Sequence, residues 1–251
     1  MSSAKFNLQS NVPGEVALSS KLKDNYDAYY DEGESVWRAL GAIGKAQNVV
    51  NLCGSIPHER ILDIGSGEGA LLKRLSDLHF GEELHSLEIS QSAVKTILER
   101  RIPRVRECRL FDGYKLPYES GDFDLAILSH VLEHAEHPRK LLCEVSRVAA
   151  HVFVEVPLED TLMLGPDFVF DSVGHINFYS RKTVRRLVQS CDLRVLSQVV
   201  VNPSRAVYEY QFGRKGTLKY ILKEMLLRTS ESVASEFFTY HSALVCTGTA
   251  K

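Results

Sequence analysis

Ser129, His130, Val131, Leu132, Glu133 and His134 place two imidazoles and a carboxylate within six residues. Imidazole titrates near neutrality, so a cluster of this kind suits proton transfer to or from a small molecule. His130 and His134 are one helical turn apart and share a face if the segment coils. His134 is the first candidate for a general base and His130 the next, with Glu133 between them; the alternative is that His134 only orients a loop by hydrogen bonding. Two nitrogens and one oxygen are also metal-ligand chemistry, but hydrogen bonding among the three is the expectation, and no metal is assigned. A third histidine, His175, lies in G-H-I-N-F-Y at 174–179, before a helix that starts near Ser180. It is expected either beside a reacting group or as the cap of that helix.

A second set of carboxylates ends short apolar runs. Asp63 closes I-L-D-I, and Gly65, Ser66, Gly67, Glu68 and Gly69 follow directly. Such a sequence marks a strand turning into a helix, where a ligand can approach the backbone. The spacing is G-x-G-x-G, one residue short of the dinucleotide fingerprint. Asp63 would repel a pyrophosphate but suits a cationic amine. S-adenosylmethionine carries such an ammonium, plus a carboxylate that a helix N-terminus can meet. Glu88, ahead of Ile89, ends a second apolar run and is placed to accept hydrogen bonds from ribose hydroxyls. NAD shares that diol, so Glu88 does not decide between the two cofactors. Asp112 and Gly113 end a third run, as a ligand contact or simply as an Asp-Gly turn.

These motifs resemble the class I S-adenosylmethionine-dependent methyltransferases, in particular the small-molecule group with V-L-E-H after the fourth strand; the likeness runs from about Arg60 to Cys191. It implies a Rossmann-like, doubly wound α/β sheet of seven strands whose last strand is antiparallel. It also implies that Asp63, Gly65, Ser66, Gly67, Glu88, Ile89, Asp112, Gly113 and Ser129 hold S-adenosylmethionine, with Asp112 receiving the adenine amine. N-terminal helices usually cover the cofactor in this family, which gives Tyr30 a contact with it and Tyr26 a place in the lid. The L-P-Y-E-S-G-D-F-D stretch and G-H-I-N-F-Y fit the family pattern. H-V-L-E-H is similar to the E-x-x-E-H segment of ubiquinone-pathway O-methyltransferases, except that His130 takes the first position.

The elements needed to position these residues follow from periodicity. Strands are expected at 61–64, 84–89, 105–111, 123–128, 151–156, 193–201 and 237–246, with Pro157 stopping the fifth. Helices are expected from 67 to 78, after Ser90, after Pro138 and over 183–190. Residues 1–58 form an arm and helical lid, and 59–251 the cofactor-binding domain. Residues 158–178 lack periodicity, and Phe168, Phe170 and Phe178 could line an apolar wall there. An insertion at 202–236 contains an amphipathic helix at 216–227 whose stripe, Leu218, Ile221, Leu222, Met225 and Leu226, is expected to cover the substrate pocket or to pair with a second subunit.

Composition narrows the function classes. The 251-residue chain is 44% hydrophobic and 25% charged, ordinary for one large α/β domain. A formal charge of -2 gives no electrostatic case for nucleic acid or an anionic membrane. Five scattered cysteines read as reduced thiols, and no apolar run is long enough to span a bilayer, so a cytoplasmic protein is expected. The reading that results is methyl transfer from S-adenosylmethionine to a small organic acceptor, at oxygen first. A non-catalytic cofactor-binding domain is the alternative, and an NAD-dependent oxidoreductase the weaker one.

Overall fold

A computed structural model describes residues 20–31, 35–165 and 174–248. Phe168, Phe170 and the arm before Ser20 lie outside the described residues. The seven strands are β1 (Arg60–Ile64), β2 (Glu83–Glu88), β3 (Val105–Leu110), β4 (Phe123–Ser129), β5 (Ala149–Leu158), β6 (Leu193–Val201) and β7 (Tyr240–Gly248). They form one sheet in the order β3-β2-β1-β4-β5-β7-β6, and β7 runs antiparallel to both its neighbours. The doubly wound sheet with an antiparallel last strand is therefore as the sequence implies.

The strands alternate between two cores. Leu62, Ala126, Leu128, Val152 and Val154 face α5 (Pro138–Val148) and α6 (Arg181–Gln189). Ile61, Leu125, Ile127 and Phe153 face α2 (Ser35–Cys53), α3 (Ala70–Asp77) and α4 (Gln91–Arg100). A strand buried on both faces reads as an unbroken apolar run, which is why β1, β4 and β5 carry so few polar residues. Their buried polar residues are Asp63, Ser129 and Glu155, all at the carboxyl edge of the sheet, whereas Arg60, Asp124 and His151 lie nearer the opposite edge and are not buried. The first helix, α1 (Ser20–Asp31), lies against α4: Asp27 Oδ1 accepts from Ser90 Oγ at 2.6 Å and from the Ser92 N–H at 3.3 Å.

Three expectations need correction. Helix α3 begins at Ala70, not 67, because Gly65, Gly67 and Gly69 all adopt positive φ and cannot belong to a right-handed helix. Pro157 does not stop β5: it pairs with His241 of β7 two residues beyond the last β4 pairing, Ser129 with Glu155. The Glu155 carbonyl points to the β4 side, where it accepts from the His130 N–H. The missing N–H of Pro157 falls on that same side, past the end of β4, so no ladder bond is lost. The insertion contains three helices, α7 (Arg205–Phe212), α8 (Arg214–Thr229) and α9 (Glu231–Phe237). The apolar stripe of α8 does not cover the pocket, since Leu218, Ile221, Leu222, Met225 and Leu226 are 44–61% exposed.

Candidate active site

A crevice of about 1410 Å³ runs along the carboxyl edge of the sheet, larger than a single drug-sized ligand needs. Its two halves hold the two groups of residues singled out from sequence. On one side lie Tyr30, Asp63, Gly65 to Gly67, Glu88, Ile89 and Gly113; on the other, Ser129, His130, Glu133, His134 and His175. Phe178 borders it too. Asp112 does not: its Oδ1 accepts from the N–H groups of Tyr114 and Lys115 at 2.8 and 2.7 Å, closing the Asp-Gly turn.

The first half is built around backbone approach. Residue 65 has φ +69° and a Cβ there would stand 2.7 Å from Val131 Cγ2; residue 67 has φ +53° and a Cβ there would meet the Tyr30 hydroxyl at 2.8 Å. Only glycine satisfies both demands. Glu88 fixes the turn from below, accepting from the N–H groups of Gly67 at 2.8 Å, Ile89 at 2.7 Å and Ser90 at 3.1 Å. Burial still drives its carboxyl above the usual range against those three donors. Asp63 is 2% exposed and its Oδ2 has no hydrogen-bond partner, while burial pushes its pKa up to about 7. The Lys45 ammonium offsets that burial only in part, and the ammonium of S-adenosylmethionine would supply a second cation. The glycine turn, the orphaned Asp63 oxygen and the Glu88 platform fit that cofactor.

In the second half, the histidine turn is locked to the loop at 174–179. The Ile176 and Asn177 N–H groups donate to the Glu133 carbonyl, the Asn177 side chain donates to the carbonyls of Leu132 and Ala135, and the Tyr179 hydroxyl donates to Leu132. This brings His134 and His175 edge to face, with ring centroids 4.7 Å apart. His134 Nδ1 lies 3.2 Å from the Gly174 carbonyl, which accepts from it, so Nε2 carries the lone pair. Burial depresses the His134 pKa, the Glu133 carboxylate only partly opposing it, and the ring is neutral at pH 7. His175 Nδ1 pairs with Glu159 Oε2 at 2.5 Å.

His130 is turned elsewhere. It adopts φ +59°, a left-handed conformation costing a non-glycine residue about 1–3 kcal/mol. Its Nδ1 meets Glu133 Oε1 at 3.0 Å, and its Nε2 faces His241 and Glu155. Both carboxylates are fully buried. Burial raises them, yet the neighbouring imidazoles win: Glu133 is brought down to about 2 and Glu155 lower still. Lys45 of α2 borders the same space, its ammonium destabilised by burial and supported by Glu155, Glu133 and Asp63.

Sequence reasoning overlooked Lys45, Asn48, Glu155, Glu159 and His241. For Glu155 a signal existed, since one carboxylate interrupts the apolar run of β5. His241 had none, because only the antiparallel register of β7 delivers its first residues to the carboxyl edge.

A methyltransferase-domain family model matches residues 39–198, most of the chain. The chain is 30% identical over 112 residues to demethylmenaquinone methyltransferase of Renibacterium salmoninarum, covering 45% of this chain and 42% of that one. It is also 30% identical over 93 residues to malonyl-[acyl-carrier protein] O-methyltransferase of Halorhodospira halophila, covering 36% and 31%. The matched region thus spans about half or less of the curated relatives' length. Among solved structures, it resembles geranyl diphosphate C-methyltransferase of Streptomyces coelicolor, determined with Mg2+, geranyl diphosphate and S-adenosylhomocysteine: TM-score 0.64, 14% identity, 94% of this chain and 100% of that one. It also resembles phosphoethanolamine N-methyltransferase 2 of Haemonchus contortus in complex with S-adenosylmethionine: TM-score 0.58, 14% identity, 90% and 60%. With the glycine turn, the buried Asp63 and this sheet order in place, the chain belongs to the methyltransferase-domain family and has the class I methyltransferase fold.

Proposed function

We propose that the chain transfers a methyl group to an oxygen of a small organic acceptor, with His134 as general base. The observation that carries this reading is a neutral imidazole whose Nδ1 is anchored on the Gly174 carbonyl, bordering a crevice it shares with Asp63 and Glu88. The bound cofactor supplies an electrophilic methyl on a sulfonium. Asp63 would hold its ammonium and Glu88 its ribose, and the turn from Gly65 to Gly67 would let it lie against the backbone. On the acceptor side, Nε2 of His134 would take the hydroxyl proton, so that the acceptor oxygen could receive the methyl group from the sulfonium, which would be released as a neutral thioether. Positioning contributes the larger share, because a direct displacement needs alignment before it needs a base. Among the described residues, α1 and α2 serve as the lid over the cofactor half, the residues from β1 onward as the catalytic domain, and α8 as a pairing surface for a second copy.

The acceptor is proposed as a small molecule with an apolar part, because Phe178, Tyr208, Phe212 and Phe237 supply apolar wall beside the charged groups of the crevice. Formation of S-adenosylhomocysteine over a panel of hydroxylated, amino and thiol acceptors tests the assignment. Turnover with hydroxyl acceptors is the expected result. Tight cofactor binding without turnover on any acceptor would instead identify a binding domain.

A further inference from the structure

The side chains that line the floor of the acceptor half were not brought together by the H-V-L-E-H motif alone. His130 follows β4, Glu155 lies in β5, and His241 is the second residue of β7. His130 Nε2 and His241 Nδ1 are 3.3 Å apart, His130 Nε2 and Glu155 Oε1 3.7 Å, and His241 Nδ1 and Glu155 Oε1 3.1 Å. A triangle with those sides has a circumradius of about 2.0 Å, the bond length of a first-row divalent ion to imidazole or carboxylate. An ion about 2.0 Å from all three atoms subtends about 102°, 111° and 135° between ligands and lies within about 0.5 Å of their plane, an open arrangement that further ligands would complete.

Two further observations point to a cation there. Glu155 is fully buried and its second oxygen, Oε2, has no hydrogen-bond partner. His130 turns its other nitrogen, Nδ1, toward Glu133 Oε1, 3.0 Å away as an ion-pair contact without hydrogen-bond alignment, and a carboxylate on that side favours a proton at Nδ1 and leaves Nε2 for the ion. Asn48 Nδ2 donates to Glu155 Oε1 at 3.2 Å and holds that carboxylate in place. Lys45, on the same side, is the charge that a bound ion would share the two carboxylates with.

We propose that His130, Glu155 and His241 bind one divalent transition-metal ion, zinc or iron(II) in character, with open coordination toward the crevice. Two imidazoles and a single carboxylate select such ions over magnesium or calcium. Three protein ligands leave positions for oxygen donors, so the acceptor class is one that presents two adjacent oxygens, a vicinal diol, a catechol or a 2-hydroxy acid. The ion would bind both oxygens and lower the pKa of the one to be methylated. Ion binding stands by itself; the chelated acceptor rests on the methyl-transfer reading above.

The full chain, stripped with chelator and titrated with Co2+ and Zn2+ alone, tests the site. One equivalent is expected to bind, with a visible Co2+ spectrum of four- to five-coordinate type. Glu133→Gln should weaken binding about 10–100-fold, and His241→Ala or Glu155→Gln by more, while S-adenosylhomocysteine binding by calorimetry persists and reports an intact fold. No stoichiometric uptake by the wild-type chain overturns the proposal, as does uptake lost in His175→Ala but kept in His241→Ala, which would put the ion in the neighbouring Glu133, His134 and His175 group. If the ion binds but neither diols nor 2-hydroxy acids perturb the Co2+ spectrum, the metal stands and the chelated acceptor falls; absence of cofactor binding would fail the methyltransferase reading alone.

Discussion

Asp63 and His134 are opposite solutions to burial. Both are pushed toward their neutral forms, but a neutral carboxyl lacks the charge its role requires, whereas a neutral imidazole is ready to act. With its pKa raised to about 7, Asp63 binds an ammonium only once it ionises, so affinity for S-adenosylhomocysteine should fall as pH drops through about 7. The sign for stability is the reverse. A carboxyl raised in the folded state binds more protons than the unfolded chain between about pH 4 and 7, so its contribution to stability declines as pH rises through that window. Asp63→Asn should therefore raise Tm at pH 8 while weakening cofactor binding, both measurable on one sample by scanning and titration calorimetry; unaltered affinity would remove Asp63 from the site. For His134, the depressed pKa places the acid limb of turnover below the usual histidine value, with activity flat above it. His134→Ala should cost about 100-fold or more in kcat with cofactor affinity unchanged; equal turnover would reduce the ring to a brace for the loop at Gly174.

Among the elements that position these groups, α1 rests on α4. It is held to α4 by Asp27 and to the glycine turn by Tyr30, whose ring also takes the Arg38 guanidinium at 5.3 Å. Hydrogen bonds to a charged group contribute about 1.5–3 kcal/mol, so Asp27→Ala should raise the opening of α1 roughly tenfold or more, read as faster tryptic cleavage at Lys23. If Tyr30 covers the cofactor, bound S-adenosylhomocysteine should slow that cleavage. Equal cleavage with and without ligand would separate α1 from cofactor binding. Which elements exist was legible because periodicity reports burial: β1, β4 and β5 are mainly apolar runs, and α5 and α6 repeat apolar residues at helical spacing. Half of the acceptor side was not, because His241 reaches Glu155 through strand order and register, which pair residues 86 positions apart. Pro157 misled for a related reason, since its missing donor matters only on a side where a neighbour strand remains.

At the scale of the whole molecule, the insertion carries a surface that no other element among the described residues covers. Helix α8 packs on α7 and α9, and Lys223 turns inward, its ammonium on the Thr239 carbonyl and over the Tyr240 ring. That choice buries the aliphatic stem of a lysine and turns Leu218, Leu222 and Met225 outward, 53–61% exposed. An apolar stripe of this kind on a single helix suits a two-fold contact, in which the same face meets itself in a second copy. Sedimentation over a concentration series should then show a dimer, and Leu222→Lys should return it to monomer. Because Leu222 is half exposed, the substitution should change the stability of the monomer by no more than about 0.5 kcal/mol. A monomer at every concentration would leave the stripe without a second copy to cover it. A dimer that persists in Leu222→Lys would place the contact on another face.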